Sequence, residues 1–258
     1  MLHNYHTHTY RNHHASGTER AYIEAAIACG IRTLGFSEHA PYRFSDGYTS
    51  WFHLQPEELE EYVQTLLSLK EEYADRIDIL IGYEAEFYPA HFDDLLARVS
   101  RYPTDYLILG QHFLNNEYDG VASGAGWDDP AVLRAYVDQC ITALQTGCFT
   151  YFAHPDLFYY TGTDDARYTD EMQRLCLAAK ACNVPLEINM LGLRAGRTYP
   201  KARFFKIAQE CGCTIVAGLD AHEPSGVYQP ETLPAYRQLL ADCALTVTDA
   251  ISLRPICP

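Results

Sequence analysis

Positive charge is in short supply in this chain. Lys and Arg together number 19 against 34 Asp and Glu, a formal charge of −15 over 258 residues, and the acidic residues are spread over what read as helical surfaces. That balance excludes a general binder of the phosphate backbone, so nucleic acid is not an expected partner. Long apolar runs are missing too. No stretch approaches the roughly 18 apolar residues that a membrane span needs, and no membrane partner is expected. The opening Met1-Leu2-His3-Asn4-Tyr5-His6 lacks the basic-then-apolar pattern of a signal peptide, which makes a cytoplasmic location the expectation. No CxxC pair occurs among the nine cysteines. Cys29, Cys140, Cys176 and Cys182 fall in or at the ends of expected helices, Cys211-Gly212-Cys213 falls at a helix-to-strand turn, and all read as small buried side chains in a reducing compartment. No Pro/Gly/Ser-rich linker, low-complexity tract or fixed-period repeat divides the chain. Residues 1–258 are therefore expected to form a single domain, and 48% hydrophobic residues suffice for its core.

What is present is a rhythm. Seven short runs rich in Ile, Leu, Val, Phe and Tyr cover residues 2–8, 33–39, 77–84, 105–112, 149–154, 186–189 and 214–222. Between them lie segments of helical spacing and length. Strands alternating with helices imply a parallel sheet, and in a closed (β/α) barrel every strand aims its C-terminal end at one face. All but one of the runs end in a potential metal ligand; the exception ends at Asn189. Histidines placed independently in a core have no reason to gather at strand ends, so the pattern points to a polynuclear metal site.

Helices are expected near residues 16–29, 56–73, 91–101, 129–147, 169–182, 200–211 and 230–242. Ser16-Gly17-Thr18-Glu19 has the spacing of a capping box, with Gly30 as the stop. Pro56 suits a first turn, and Leu59, Tyr62, Val63, Leu66 and Leu67 share one face of the helix that follows.

The ligand types follow from chemistry. His6-Thr7-His8 puts two imidazoles on one side of a strand. Six residues on, His13 and His14 are adjacent in a loop, and spacing alone does not choose between them. Ser37-Glu38-His39-Ala40-Pro41 delivers His39 to a strand end marked by the proline. In Gly82-Tyr83-Glu84-Ala85-Glu86, carboxylates placed after Ile79-Leu80-Ile81 need a cation to be tolerated near a barrel interior. Gln111-His112, Ala153-His154-Pro155-Asp156 and Asp220-Ala221-His222 repeat the arrangement.

With His6-Thr7-His8-Thr9, His14, Ser37-Glu38-His39, Gly82-x-Glu84-x-Glu86, His112, Ala153-His154-Pro155-Asp156 and Asp220-Ala221-His222 in place, the chain resembles the polymerase and histidinol phosphatase (PHP) superfamily. Within it, the monofunctional histidinol-phosphate phosphatases are most similar. The likeness runs from His3 to about Gly226 and takes in stretches without ligands, such as Glu187-Ile-Asn-Met-Leu-Gly-Leu-Arg194. It implies a distorted seven-stranded TIM-like (β/α) barrel, the PHP fold, holding three divalent metal ions. His6, His8, Glu84 and Asp220 would hold the first. Glu84 would bridge to a second completed by His112 and His154, and His14, His39 and His222 would hold the third. Glu84, His112, His154 and Asp220 would stand at the catalytic centre. Glu38 and Gln111 replace the neighbours common in the family, Asp and Val.

The implied reaction is hydrolysis of L-histidinol phosphate to L-histidinol and phosphate, in histidine biosynthesis. A metal cluster neutralises nonbridging oxygens and activates water, so in-line attack by a metal-bridging hydroxide is the expectation. Seven histidines against two carboxylates suit Zn, Mn or Fe better than Mg or Ca. Arg194, Arg197 and Lys201 follow the sixth strand on the metal face, with Arg194 the first candidate for phosphate and Arg167 another. Glu86 is a candidate for the substrate's ammonium or imidazole, or for orienting a histidine ligand. The aromatic loop 42–53 reads as a lid or specificity wall, or as a local cluster stapled to the barrel. Alternatives are a PHP phosphoesterase for another small phosphate ester or nucleotide, and a noncatalytic metal-binding domain. A metal-dependent amidohydrolase fits worse, because no lysine ends a strand.

Overall fold

The computed structural model describes residues 1–44 and 47–256. Seven strands carry the barrel: β1 (His3–Asn4), β2 (Thr33–His39), β3 (Asp78–Ala85), β4 (Tyr106–Leu109), β7 (Phe149–Phe152), β8 (Leu186–Asn189) and β9 (Ile215–Gly218). A two-stranded antiparallel ribbon, β5 (Phe113–Leu114) and β6 (Val121–Ala122), rises just after β4. The large sheet runs β1-β2-β3-β4-β7-β8-β9 with every neighbouring pair parallel. Parallel neighbours need crossovers, here supplied by α1 (Glu19–Ala28), α2 (Leu59–Glu72), α3 (Phe92–Val99), α4 (Pro130–Gln145), α5 (Asp165–Ala181), α6 (Met190–Arg194) and α7 (Ala202–Cys211). The last helix, α8 (Leu233–Asp242), follows β9. No helix among the described residues is long and apolar enough to cross a membrane.

This is the expected α/β architecture, a near-closed and distorted seven-stranded parallel barrel. Closure comes late. The first and last strands meet beyond their ends, where Thr7 bridges Ala221 and the His8 amide donates to the Ala221 carbonyl at 2.9 Å. Opposite, β7 and β8 share one register pair, Phe152 with Leu186. Tyr5, Tyr106, Ile108, Tyr151, Ala153 and Val216 fill the lumen. Tyr106 is its keystone: its hydroxyl donates to the carbonyls of Tyr5 at 2.7 Å and Phe36 at 3.2 Å. Side chains at positions 35 and 82 would collide with that ring, which is why both are glycine. Below it, Ile251 and Leu253 pack against the lumen, and the Arg254 amide donates to Thr150 Oγ1 at 3.1 Å. Replacing Tyr106 with Ala is expected to cost about 3–5 kcal/mol, as for other large aromatic truncations in a packed core. A urea unfolding curve checks it, and a loss under about 1 kcal/mol would remove Tyr106 from this role.

Helix starts show where local chemistry was misread. The capping box at residues 16–19 does not form: α1 opens at Glu19 without a side-chain cap. Gly17 has φ 87°, the Ser16 amide donates to the His222 carbonyl, and the Glu19 carboxylate is taken by buried Arg11. Helix α5 begins four residues before the expected 169, because Asp164 caps it by accepting from the Arg167 amide at 2.9 Å. Helix α6 was not foreseen, since five residues leave no periodicity to read. Among the described cysteines Cys29 is exposed and Cys182 and Cys213 are half-buried, so the reading of all as buried holds for Cys140, Cys148, Cys176, Cys211 and Cys243 alone.

Candidate metal centre

The strand ends bring the histidines together. His39, the last residue of β2, stands in register with Glu84 of β3. His154 lies two residues beyond β7, and Asp220 and His222 follow β9. His154 and Asp220 have φ of 41° and 49°. Left-handed backbone at a non-glycine residue is strained, and here it turns each side chain into the barrel mouth. The adjacent pair also divides. His13 turns outward to Glu58, at 3.4 Å, while His14 presents Nε2 to His222 Nε2 at 2.9 Å.

Distances define a cage. His6 Nε2 lies 3.1 Å from His8 Nε2, 3.4 Å from Glu84 Oε2 and 3.5 Å from Asp220 Oδ1. His8 Nε2 lies 3.3 and 3.4 Å from the same two oxygens. Four ligands at 2.0–2.1 Å from a tetrahedral ion are separated by about 3.3–3.4 Å, so these five edges fit a transition-metal ion of that size. The other oxygen of Glu84 faces a second set, 2.8 Å from His154 Nε2 and 3.6 Å from His112 Nε2, and it is buried without a hydrogen-bond donor. One carboxylate thus presents each oxygen to a different group of imidazoles. His8, His39 and His222 form a further group. His39 is shared more widely than the expected partition had it, since its Nδ1 lies 3.2 Å from Glu84 Oε2.

Electrostatics match the geometry. Burial opposes ionisation of Glu84, but His112, His6 and His39 around it hold its carboxyl well below the usual range. Asp220 is likewise held low, against burial, by His6 and His222. Burial disfavours the His8 imidazolium, yet hydrogen bonds to Asp220 and Glu84 lift its pKa to about 9. Burial keeps His39 neutral, and burial with repulsion from His8 pushes His222 down to about 3. Two ionised carboxylates amid buried imidazoles demand positive charge, from protons or from metal.

The PHP domain family model matches residues 4–190. The chain belongs to the PHP family. Among curated relatives of this PHP protein is a probable histidinol-phosphatase of Deinococcus radiodurans, 30% identical over 86% of this chain and 86% of its own. The histidinol-phosphatase of Bacillus subtilis is 26% identical over 86% of this chain and 94% of its own. In fold, the histidinol phosphate phosphatase of Lactococcus lactis, solved with zinc, L-histidinol and phosphate, superposes with a TM-score of 0.73 at 21% identity and covers 97% of both chains. Homology to histidinol-phosphatases and His and carboxylate clusters able to hold divalent metal ions mark this PHP protein as a metal-dependent phosphoesterase.

A second ring of groups positions the candidate ligands of this PHP protein. Glu187, fully buried on β8, accepts from His6 Nδ1 at 2.8 Å, the His154 amide at 3.0 Å, Asn189 Nδ2 at 3.0 Å and the Tyr151 hydroxyl at 3.3 Å. Because the carboxylate only accepts, Nδ1 of His6 carries a proton, and Nε2 is the nitrogen that would face an ion once its own proton is displaced. A side chain at Gly218 would collide with Glu187. Asn189, the strand end without a ligand, also donates to Asp220 Oδ2 at 3.0 Å. Sequence reasoning passed over Glu187, although a carboxylate inside the run Leu186-Glu187-Ile188 carries the same signal as Glu84. Replacing Glu187 with Ala is expected to weaken metal binding about 10- to 100-fold, as for other groups that orient ligands, with little loss of helical signal. Titration with Co²⁺ measures it; unchanged affinity would count against this role.

Substrate-side residues are redistributed. Glu86 is fully buried and accepts from His112 Nδ1 at 2.7 Å, the geometry expected of the second of its two roles, orienting a histidine. Behind it, His53 lies 3.2 Å from Glu117 and 3.6 Å from Glu86, a buried network not foreseen. A cavity of about 330 Å³ opens over the cage, lined by Trp51, Phe52, Phe113, Arg197 and Tyr199 beside the histidines. Arg197 donates to the Tyr199 hydroxyl at 2.7 Å. Arg194, the first candidate for phosphate, lines a different cavity: it ends α6, and the chain turns at Gly196 (φ 60°) before Arg197 reaches the metal face. Arg167 lies outside the cavity lining on α5, 3.8 Å from Glu171. Lys201 is engaged structurally, donating to the Asp156 and Phe158 carbonyls at 3.0 Å each. Loop 42–53, of which Ser45 and Asp46 lie outside the described residues, divides in two. Tyr42 packs on Tyr88 with ring centroids 4.9 Å apart and Phe44 on His91 at 5.1 Å, a staple, whereas Trp51 and Phe52 form the cavity wall.

Proposed function

We propose that this protein is a histidinol-phosphatase acting as one domain of 258 residues, with three divalent ions of zinc, manganese or iron. His6, His8, Glu84 and Asp220 hold the first ion, Glu84 with His112 and His154 the second, and His14, His39 and His222 the third. The observation that carries the reading is Glu84, whose two oxygens serve separate ligand sets beneath a cavity containing one arginine. Its substrate class is supported by relatives named histidinol-phosphatase that align over 86% of the chain.

When bound, such ions supply Lewis acidity toward phosphate oxygens and make water acidic enough to deprotonate near neutral pH. The chain's own residues do the rest. Seven imidazoles and only two carboxylates leave ionic charge largely uncompensated, so the centre attracts a phosphate dianion. Arg197 reaches from the rim to pair with phosphate oxygens, and Tyr199 holds its guanidinium in place. Trp51 and Phe52 shut water from one side. Changing Arg197 to Met is expected to raise KM about 10- to 100-fold with metal content unchanged, the loss of a charge-assisted pair; an unaltered KM would take phosphate recognition away from this residue.

The test of the whole reading is phosphate release from L-histidinol phosphate by zinc- or manganese-loaded protein, beside a panel of small phosphate esters and nucleotides and a His154→Ala control. Strong preference for histidinol phosphate, lost in the variant, is the expected result. Preference for another ester would transfer the site to a broader phosphoesterase role, a reading favoured by relatives named only as probable phosphatases, such as one from Shewanella, 25% identical over 84% of this chain. No hydrolysis with any metal would leave a binding domain.

A further inference from the structure

A cavity larger than the one over the cage lies away from the metal site. It encloses about 460 Å³ behind the ends of β8 and β9, between α6, α8 and the segment joining β9 to α8. Met190, Ala217, Leu219, Val227 and Tyr236 make most of its wall apolar. Three polar groups face it without partners. Arg194 has no hydrogen bond or ion pair to any described residue while lining it. Thr232 is 5% exposed, and its Oγ1 is buried with no partner; Gln229 Oε1 is buried and unpartnered as well. An unpaired buried hydroxyl and an unpaired buried amide oxygen at the edge of an apolar chamber are costly unless a ligand completes them, and the half-buried Arg194 beside them has no anion among the described residues.

We propose that this cavity is a second ligand site, for a small molecule with an anionic head and an apolar body, coupled to the metal centre through α6. Arg194 takes the anionic head, carboxylate or phosphate, with Thr232 as a hydroxyl donor; the aliphatic and tyrosine walls take the body. The coupling runs through one side chain. Asn189 caps α6 by accepting from the Gly192 amide at 2.9 Å, and the same residue donates to Asp220 Oδ2 at 3.0 Å. Leu219, in the cavity wall, is adjacent in sequence to Asp220. A ligand that draws Arg194 inward therefore loads the helix whose cap holds a metal-binding carboxylate. The site does not depend on the proposed reaction; only its coupling involves the metal centre.

Octanoate titrated calorimetrically into the full-length zinc-loaded protein is the probe. Saturable one-to-one binding is expected, weakened at least about tenfold in Arg194→Gln, which loses the ionic pair, and in Ala217→Leu, which fills the chamber. It should persist in Arg197→Gln and in saturating inorganic phosphate. No saturable binding, equal binding in Arg194→Gln, or loss in Arg197→Gln or with phosphate would overturn the site, the last two by placing octanoate at the metals. Should Ala217→Leu fail to fold, Arg194→Gln decides alone. Octanoate is also expected to shift the affinity for Co²⁺, read from its visible absorption, by the factor by which Co²⁺ shifts that for octanoate. Binding without any such shift would overturn the coupling.

Discussion

Glu84→Gln is expected to strip the protein of metal at two sites and to lower phosphate release at least ~10³-fold, more than any other single exchange that keeps side-chain size. The reason is its double position. Its Oε2 lies 3.3 and 3.4 Å from His8 and His6, and its Oε1 lies 2.8 Å from His154. Glutamine keeps one oxygen and presents an NH₂ group where the other stood, which carries no lone pair for an ion and no negative charge for either cage. Room for the carboxylate comes from Gly110, where any side chain would collide with it. Elemental analysis of zinc or manganese per chain, together with steady-state hydrolysis, checks this. His13→Ala is the control, because that neighbour of His14 faces Glu58 outside the cage. Full metal content and a rate within a few-fold of the parent would sink the bridging role.

The fold was legible because it repeats. Seven apolar runs separated by helical spacing announce a parallel barrel, and a parallel barrel sends its strand ends to one place. The nine candidate ligand positions stand out by that logic and, where two adjacent histidines compete, by family resemblance. What failed to show has physical causes. The arginines could not be sorted, because which of Arg194 and Arg197 lines the cavity over the cage depends on a five-residue helix and a left-handed glycine that leave no mark in periodicity. Glu86 could not be told from a substrate contact, since a carboxylate beside a ligand has the same sequence signal whether it meets a ring nitrogen or a substrate. Backbone strain at His154 and Asp220 was invisible as well; neither residue advertises a positive φ as glycine does. Glu187 was legible and overlooked. It lies in the middle of a run that ends in asparagine, so no ligand at the strand end marks it.

Protons and metal compete for the same lone pairs, and that competition sets the second large effect. In the metal-free protein His8 has its pKa lifted to about 9: burial works against the imidazolium, but Asp220 and Glu84 outweigh it. His6 is raised well above its ordinary value as well, with burial opposed and overcome by Glu187, Asp220 and Glu84. In the unfolded chain both titrate near about 6.5. A raised folded pKa gives stability that is fully present below about pH 6.5 and is lost as pH climbs through about 9. Metal-free protein is therefore expected to lose stability across that window, as the charges that balance Glu84 and Asp220 leave. Metal-loaded protein behaves the opposite way, because an ion must displace those protons to bind. Its apparent affinity should rise about tenfold per pH unit for each proton displaced, flattening above about pH 9. The gap between the Tm of loaded protein and that of chelator-stripped protein should consequently widen from pH 6.5 to pH 9. Differential scanning calorimetry of both forms at several pH values, with free zinc fixed by a buffer, measures that gap. A gap that stays constant, or narrows as pH rises, would mean that His6 and His8 do not share one position with a metal ion, and the cage drawn by their five edges would have to be given up.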